Sequence, residues 1–117
     1  MIEEFVYAFN NKPRRIDKAI WDDPVLTLIG NDWTFNTICS WRIFDKTRLI
    51  GGFDSKDAGV ILSAINEQEI IANIGESGLD PEFMSEGGIV LQVLVTNWSE
   101  PWVYRDDDII LVESNAL

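Results

Sequence analysis

Residues 25–35 read VLTLIGNDWTF, two apolar runs separated by Gly30-Asn31-Asp32. Glycine and asparagine accept the backbone angles of a tight turn, while the β-branched and aromatic residues on either side favour strands. The stretch therefore predicts a β-hairpin. Its second arm keeps the same aromatic and β-branched character as far as Phe44, which predicts one long strand over 33–44.

Short strands and turns are also expected on both sides of this hairpin. A first strand is predicted over 14–21, ended by the turn Asp22-Asp23-Pro24, and another over 48–53 after Asp45-Lys46-Thr47. Residues 1–9 fit two patterns. Ile2, Phe5, Val6 and Phe9 have helical spacing, whereas Phe5, Tyr7 and Phe9 alternate as in a strand, so both readings stay open.

One segment predicts the main helix, at about residues 56–66. Asp54 or Ser55 can cap it, and one apolar stripe follows, formed by Val60, Ile61, Ala64 and Ile65. Further strands are predicted over 70–74, 82–85, 89–96, 101–105 and 109–113. The strand over 89–96 is apolar on both faces, which is typical of a central strand covered by the helix. Together these elements predict a single α+β domain over 1–117. We expect an antiparallel sheet of about six to eight short strands, open to strong curvature, with the helix packed on it.

Two segments share a spacing that suggests an internal repeat. Asp23-Pro24, Gly30 and Trp41 recur as Asp80-Pro81, Gly87 and Trp98. The ungapped alignment, however, places Trp33 and Phe35 against Val90 and Gln92. The apolar alternation of the two long strands therefore disagrees between the two copies. Duplication and coincidence both stay open.

Charge and residue types narrow the possible functions. The chain has 20 acidic and 9 basic residues, a formal net charge of −11, no histidine, and one cysteine, Cys39. We therefore expect no catalytic residue, no metal site and no cofactor, and we expect Cys39 to be a small core residue. Such a chain repels phosphates, so a basic protein is the expected partner, rather than nucleic acid or a membrane. The same charge could instead serve solubility alone, and both interpretations stay open.

We expect a cytoplasmic protein, because the acidic N-terminus does not resemble a signal peptide and no apolar run is long enough to span a membrane. We expect a monomer or a homodimer, because the apolar strand over 89–96 suits a dimer as well as a helix-covered sheet.

Aromatic and acidic residues near the C-terminus form the predicted partner-binding surface. Trp and Tyr dominate interface hot spots, and an acidic rim suits a partner rich in lysine and arginine. The predicted set is Trp98, Glu100, Trp102, Tyr104, Asp106, Asp107 and Asp108. The same aromatic side chains could instead close the core, and both readings stay open. The three aspartates predict a solvated turn rather than a metal site, because neighbouring side chains on a strand point to opposite faces.

Three stretches carry a resemblance to known proteins: DPVLTLIGNDWTF at 23–35, Trp41-Arg42 and Glu100-Pro101-Trp102. They are similar to a pattern in an uncharacterised β-rich family of small bacterial proteins. Some of its members look like immunity proteins encoded beside contact-dependent or polymorphic toxins. The resemblance extends over about residues 16–113. It implies a non-enzymatic inhibitor of a cognate nuclease toxin, and it assigns no binding residue.

Three hypotheses follow. The first is an acidic immunity protein that binds and neutralises a basic toxin domain, with charge steering the encounter. The second is a small-molecule or peptide-binding module, which needs an apolar pocket lined by Trp33, Phe35 or Trp41. The third is an enzyme that uses carboxylates alone, which needs three or more acids in one cleft.

Overall fold

Two antiparallel sheets form the body of the protein in the computed structural model, which describes residues 1–95 and 101–113. Two short helices, α1 (Ile2–Asn10) and α2 (Ala58–Leu62), accompany the sheets, and α2 continues into a 3-10 turn at Ser63–Ile65. The strands of these residues are β1 (Arg14–Arg15), β2 (Lys18–Asp22), β3 (Val25–Ile29), β4 (Trp33–Thr37), β5 (Ser40–Asp45), β6 (Arg48–Gly52), β7 (Glu69–Ile74), β8 (Pro81–Ser85), β9 (Ile89–Leu94), β10 (Trp102–Asp106) and β11 (Ile110–Val112).

The strands divide between two layers. Sheet A has the order β1-β7-β8-β9-β5-β6, and sheet B has the order β11-β10-β4-β3-β2. Their inner faces pack together, with the ring of Phe35 in sheet B 4.9 Å from the ring of Phe83 in sheet A. The predicted α+β class with antiparallel strands is confirmed, as is the hairpin, now β3–β4. The single sheet with one main helix is corrected to two sheets with two short helices.

Two predicted strands are each split between the sheets. The strand expected over 33–44 leaves sheet B after Thr37 and enters sheet A at Ser40, and the strand expected over 14–21 divides into β1 and β2. Alternate residues stay buried through the first crossing: Trp33, Phe35, Thr37, Cys39, Trp41 and Ile43. The period of two therefore continues across the corner, and the sequence pattern carries no sign of it.

The strand order is repeated between the two halves of the fold. Strands β2–β4 lie in sheet B before β5–β6 cross to sheet A, and β7–β9 lie in sheet A before β10–β11 cross to sheet B. The hairpins β3–β4 and β8–β9 thus occupy equivalent places, as the suspected repeat requires. The long strands match only after a one-residue shift, because Leu91 and Val93 are buried in β9, whereas Val90 and Gln92 face outward.

Helix α1 resolves the two patterns at the N-terminus. Ile2, Phe5 and Phe9 share its buried face. Phe5 lies between the sheets, with its ring 5.5 Å from Phe35 and 5.8 Å from Phe83. The helical reading is therefore correct, since burial of large aromatic side chains outweighs the weak intrinsic preference of so short a helix.

Helix α2 is shorter than the predicted helix over 56–66. Of the predicted apolar stripe, Ile65 is buried and Ile61 is partly buried, whereas Val60 and Ala64 are exposed. Ala58, Leu62 and Ile65 are buried, whereas Val60 is 71% exposed. The helix packs beside β2 and β6, at the edges of the two sheets. The outer face of β9 is not covered as predicted, because its side chains there are only partly buried. Among the described residues, neither helix is long or apolar enough to cross a membrane.

A substitution at Gly30 tests the packing of the β3–β4 turn. An alanine Cβ there would overlap the indole nitrogen of Trp33, so Gly30→Ala should lower the free energy of unfolding by about 1–3 kcal/mol. Gly59→Ala is the matched control, since a Cβ at that helical position meets no atom within 4 Å and should stabilise by about 0.5–1 kcal/mol. Urea unfolding followed by tryptophan fluorescence measures both. Equal stability of the two variants would contradict this packing.

Candidate functional site

Arg14 is a buried charge that joins three parts of the fold. Its side chain is 1% exposed, and its guanidinium donates to the backbone oxygens of Ala8 and Phe9 at the end of α1, at 3.1 and 2.9 Å. It also contacts Asp32 in the β3–β4 turn at 3.2 Å and Asp106 at the end of β10 at 3.1 Å. Arg14 therefore fixes the end of α1 against the β3–β4 and β10–β11 turns of sheet B.

Asp106 accepts hydrogen bonds on both carboxylate oxygens. The Tyr104 hydroxyl donates to Oδ2 at 2.7 Å, and the backbone N–H groups of Asp108 and Ile109 donate to Oδ1 at 2.8 and 3.0 Å. This carboxylate orders the β10–β11 turn from within, as Asp commonly does in turns.

The pKa values in this network reflect burial and hydrogen bonding. Burial by itself raises the pKa of Asp106, but the hydrogen bonds from Tyr104 and the backbone, with the nearby charge of Arg14, outweigh it and lower that pKa. The hydrogen bond from Lys12, with a contact of 2.7 Å, lowers the pKa of Asp32. Burial, then the hydrogen bond to Asp106, raise the pKa of Tyr104.

A groove lies between the exposed face of α1 and the β10–β11 turn that Arg14 holds beside it. Its volume is about 520 Å³. The lining residues are Glu3, Glu4, Tyr7, Ala8, Asn11, Asp106, Asp108 and Ile109. Every charged residue of this lining is acidic. We call this surface the acidic groove.

The acidic groove combines an aromatic side chain with carboxylates. Tyr7 is 80% exposed, and Ile109 adds apolar surface on the facing turn. The side chains of Glu3 and Glu4 are 76% and 65% exposed, and they lie 3.7 and 4.0 Å from the Met1 amino group. Ion pairs this exposed are weak, so both carboxylates stay accessible. An aromatic face beside carboxylates can hold lysine or arginine by cation–π and charge interactions together.

The predicted partner-binding residues are divided by the structure. Trp102 and Tyr104 are 1% and 0% exposed, so their prediction as surface anchors is wrong, and the alternative core reading is correct. Both rings lie near Phe5, at 5.1 and 5.2 Å between centroids. The carboxylate of Asp106 is only 5% exposed and serves the internal network.

The other four residues of the predicted set are two exposed aspartates and two residues that the structure does not describe. Asp107 and Asp108 are exposed at the β10–β11 turn, where they remain candidates for contact with a partner. Trp98 and Glu100 lie outside the described residues. The turn predicted at 106–108 is present, because β10 ends at Asp106 and β11 begins at Ile110.

The structure differs in what it shows for the sites that the other two hypotheses require. Phe35 and Trp41 are fully buried, and Trp33 is 3% exposed, with its ring 4.9 Å from Phe9. Phe35 and Trp41 are packed core, and Trp33 lines two small clefts of about 210 Å³ whose other walls include charged residues such as Asp32.

The third hypothesis needs three or more acids in one cleft, and four acidic residues line the acidic groove. Within 1–95 and 101–113, however, no three acidic or cysteine side chains are grouped closely enough to hold a metal ion. Cys39 is buried, as predicted.

Sequence reasoning missed Glu3, Glu4 and Tyr7. The helical interpretation of residues 1–9 would have indicated them. A helix that buries Ile2, Phe5 and Phe9 places Glu3, Glu4 and Tyr7 on its exposed face. It also missed Arg14, whose position on a predicted strand gave no indication of its partners 18 and 92 residues away.

No protein-family model, curated protein or solved structure matches this chain.

This network makes the free energy of unfolding depend on pH in both acidic and alkaline solution. Asp32 and Asp106 have lowered pKa values in the folded state, so their contribution is present above about pH 4 and is lost as the pH falls further. The raised pKa of Tyr104 gives a contribution that is present below about pH 10 and is lost above it. Urea unfolding at a series of pH values should show both losses.

The substitution Tyr104→Phe tests the loss of stability at alkaline pH separately. It should cost about 1–2 kcal/mol at pH 7 through the lost hydrogen bond and should reduce the further loss above about pH 10. Tyr7→Phe, at an exposed position, is the matched control and should behave as wild type. An unchanged alkaline slope in Tyr104→Phe would contradict the role assigned to this hydroxyl.

Proposed function

We propose that this protein is a non-enzymatic, acidic binding protein of the immunity type, which neutralises a basic toxin domain by holding it at the acidic groove. The observation that carries the proposal is the exposed Tyr7 in a groove whose charged lining residues are all acidic. The resemblance to immunity proteins over about residues 16–113 favours a toxin as the basic partner. A nuclease domain suits this role because its substrate-binding surface must be cationic.

The overall charge supports the same proposal. A net charge of −11 attracts a cationic domain over a distance of about 8–10 Å at moderate salt and raises the association rate. Aromatic and desolvated contacts then set how slowly the complex dissociates. Tyr7 is suited to such a contact, since a tyrosine buries a large area while few side-chain torsions lose freedom.

The groove also has a rigid wall, which favours binding. Its turn is held by the bonds of Asp106 to Arg14, Tyr104 and two backbone N–H groups. A preformed surface loses less conformational entropy on binding than a mobile one. We expect the protein to act in the cytoplasm, where a toxin entering the cell would meet it and where the free thiol of Cys39 stays reduced.

The test is binding to the polypeptide encoded beside this gene, measured by surface plasmon resonance. Glu4→Lys should weaken binding by about tenfold or more, because it places a cation in the groove. Glu76→Lys is the matched control, since it changes the net charge equally at an exposed site in the β7–β8 turn. Binding that falls equally in both variants, or no binding to the neighbouring product at low salt, would contradict the proposal.

Tyr7→Ala tests the aromatic contact separately. It should weaken binding by about 1–3 kcal/mol, mainly through faster dissociation, with little effect on the association rate. Val60→Ala shortens another exposed apolar side chain, on α2, and should leave binding unchanged. Equal affinity of Tyr7→Ala and wild type would remove Tyr7 from the interface.

A further inference from the structure

The outer face of sheet A carries a row of apolar side chains that crosses five strands. The cross-strand partners form one continuous line, in which Ile71 is opposite Met84, Met84 is opposite Val90, Val90 is opposite Phe44, and Phe44 is opposite Leu49. Ile71 and Leu49 at its two ends are 58% and 51% exposed. With strands about 4.8 Å apart, the row is about 19 Å long. We call it the apolar row.

Charges of opposite sign flank the two halves of the apolar row. On one side of it, Glu82 on β8 and Arg42 on β5 are both opposite Gln92 on the central strand β9. At the other end of the strands, Glu86 lies in the β8–β9 turn and Lys46 in the β5–β6 turn, where the N–H of Lys46 donates to Gly88. The β7–β8 half therefore carries two glutamates, and the β5–β6 half carries two cations, with Asp54 lining the same cleft as Arg42.

This arrangement is complementary to itself. A two-fold axis along β9, in the plane of the interface, places Val90 on its own copy, Met84 on Phe44, and Ile71 on Leu49. The same axis places Glu82 on Arg42 of the other copy, and Glu86 on Lys46. None of the ion pairs among the described residues includes Arg42 or Lys46.

Each end of the apolar row lines a cleft. Ile71 and Met84 line a cleft of about 400 Å³ that is bordered by Glu69 and Glu86. Under the two-fold operation, Leu49 of the second copy projects towards this cleft. Leu49 and Arg42 also line a smaller cleft of about 160 Å³ at the opposite end of the row.

We propose that the outer face of sheet A is a homodimer interface, with the second copy related by a two-fold axis along β9. Such an isologous contact uses the same patch on both copies, as most homodimers do. The face covers roughly 500 Å² per copy, below the about 800 Å² of a standard interface. The dimer is therefore weak, with a dissociation constant on the order of 10–100 µM.

Sedimentation equilibrium over about 5–500 µM covers the expected constant. The salt concentration should be about 0.15 M, where the Debye length of about 8 Å screens the repulsion between two anionic copies. Wild type should pass from monomer to dimer over this range. A monomer at every concentration overturns the proposal.

A charge exchange tests the proposed pairing. Arg42→Glu and Glu82→Arg should each weaken the dimer by about tenfold or more, because each places like charges across the interface. An equimolar mixture of the two variants should associate again, because both contacts between positions 82 and 42 then join opposite charges. The double variant should also dimerise for the same reason. A mixture no tighter than the separate variants overturns the two-fold arrangement.

A neutral substitution checks the apolar contact without changing any charge. Leu49→Ser should weaken the dimer by about tenfold, because the side chain loses its apolar burial. Val60→Ser removes an exposed apolar side chain from α2, outside this face, and should leave the dissociation constant unchanged. Equal effects of the two substitutions overturn the assignment of the interface to sheet A.

Discussion

The buried ion pair between Arg14 and Asp106 is the interaction on which the rest of this structure depends. It connects the edge of sheet A to the end of β10 in sheet B, while the same guanidinium holds the last carbonyl groups of α1. A buried charge with a missing partner is strongly destabilising, so Arg14, Asp106 and the end of α1 have to stay together. The acidic groove exists because this contact sets α1 beside the β10–β11 turn.

The sequence predicts the local elements of the fold well and their assembly poorly. The turn chemistry at Gly30 and the apolar alternation over 25–35 are sufficient for the β3–β4 hairpin, because both are local. The corner at Cys39 is not predictable in this way, since burial of every second residue continues through it. Helix α1 shows a third case, in which two periodicities fit one short segment and only contact with both sheets decides between them.

The residues predicted to bind a partner and the residues that line the acidic groove are largely different. An aromatic side chain within an acidic rim is present, but Tyr7 supplies the ring, while Trp102 and Tyr104 complete the core. Composition does not show which aromatic side chains are buried, because tyrosine occurs both in cores and at surfaces. Likewise, adjacent aspartates have separate roles: Asp106 is an internal hydrogen-bond acceptor, whereas Asp107 and Asp108 face solvent.

A double-mutant cycle between Arg14→Met and Asp106→Asn tests the central claim most directly. The free energies of unfolding of wild type, both single variants and the double variant give the coupling between the two side chains. The account predicts single losses of about 1.5–3 kcal/mol and a coupling of at least about 1 kcal/mol, because each single variant removes one charged partner from a buried group, while Arg14 keeps Asp32 and Asp106 keeps Tyr104. A coupling below about 0.5 kcal/mol would contradict it.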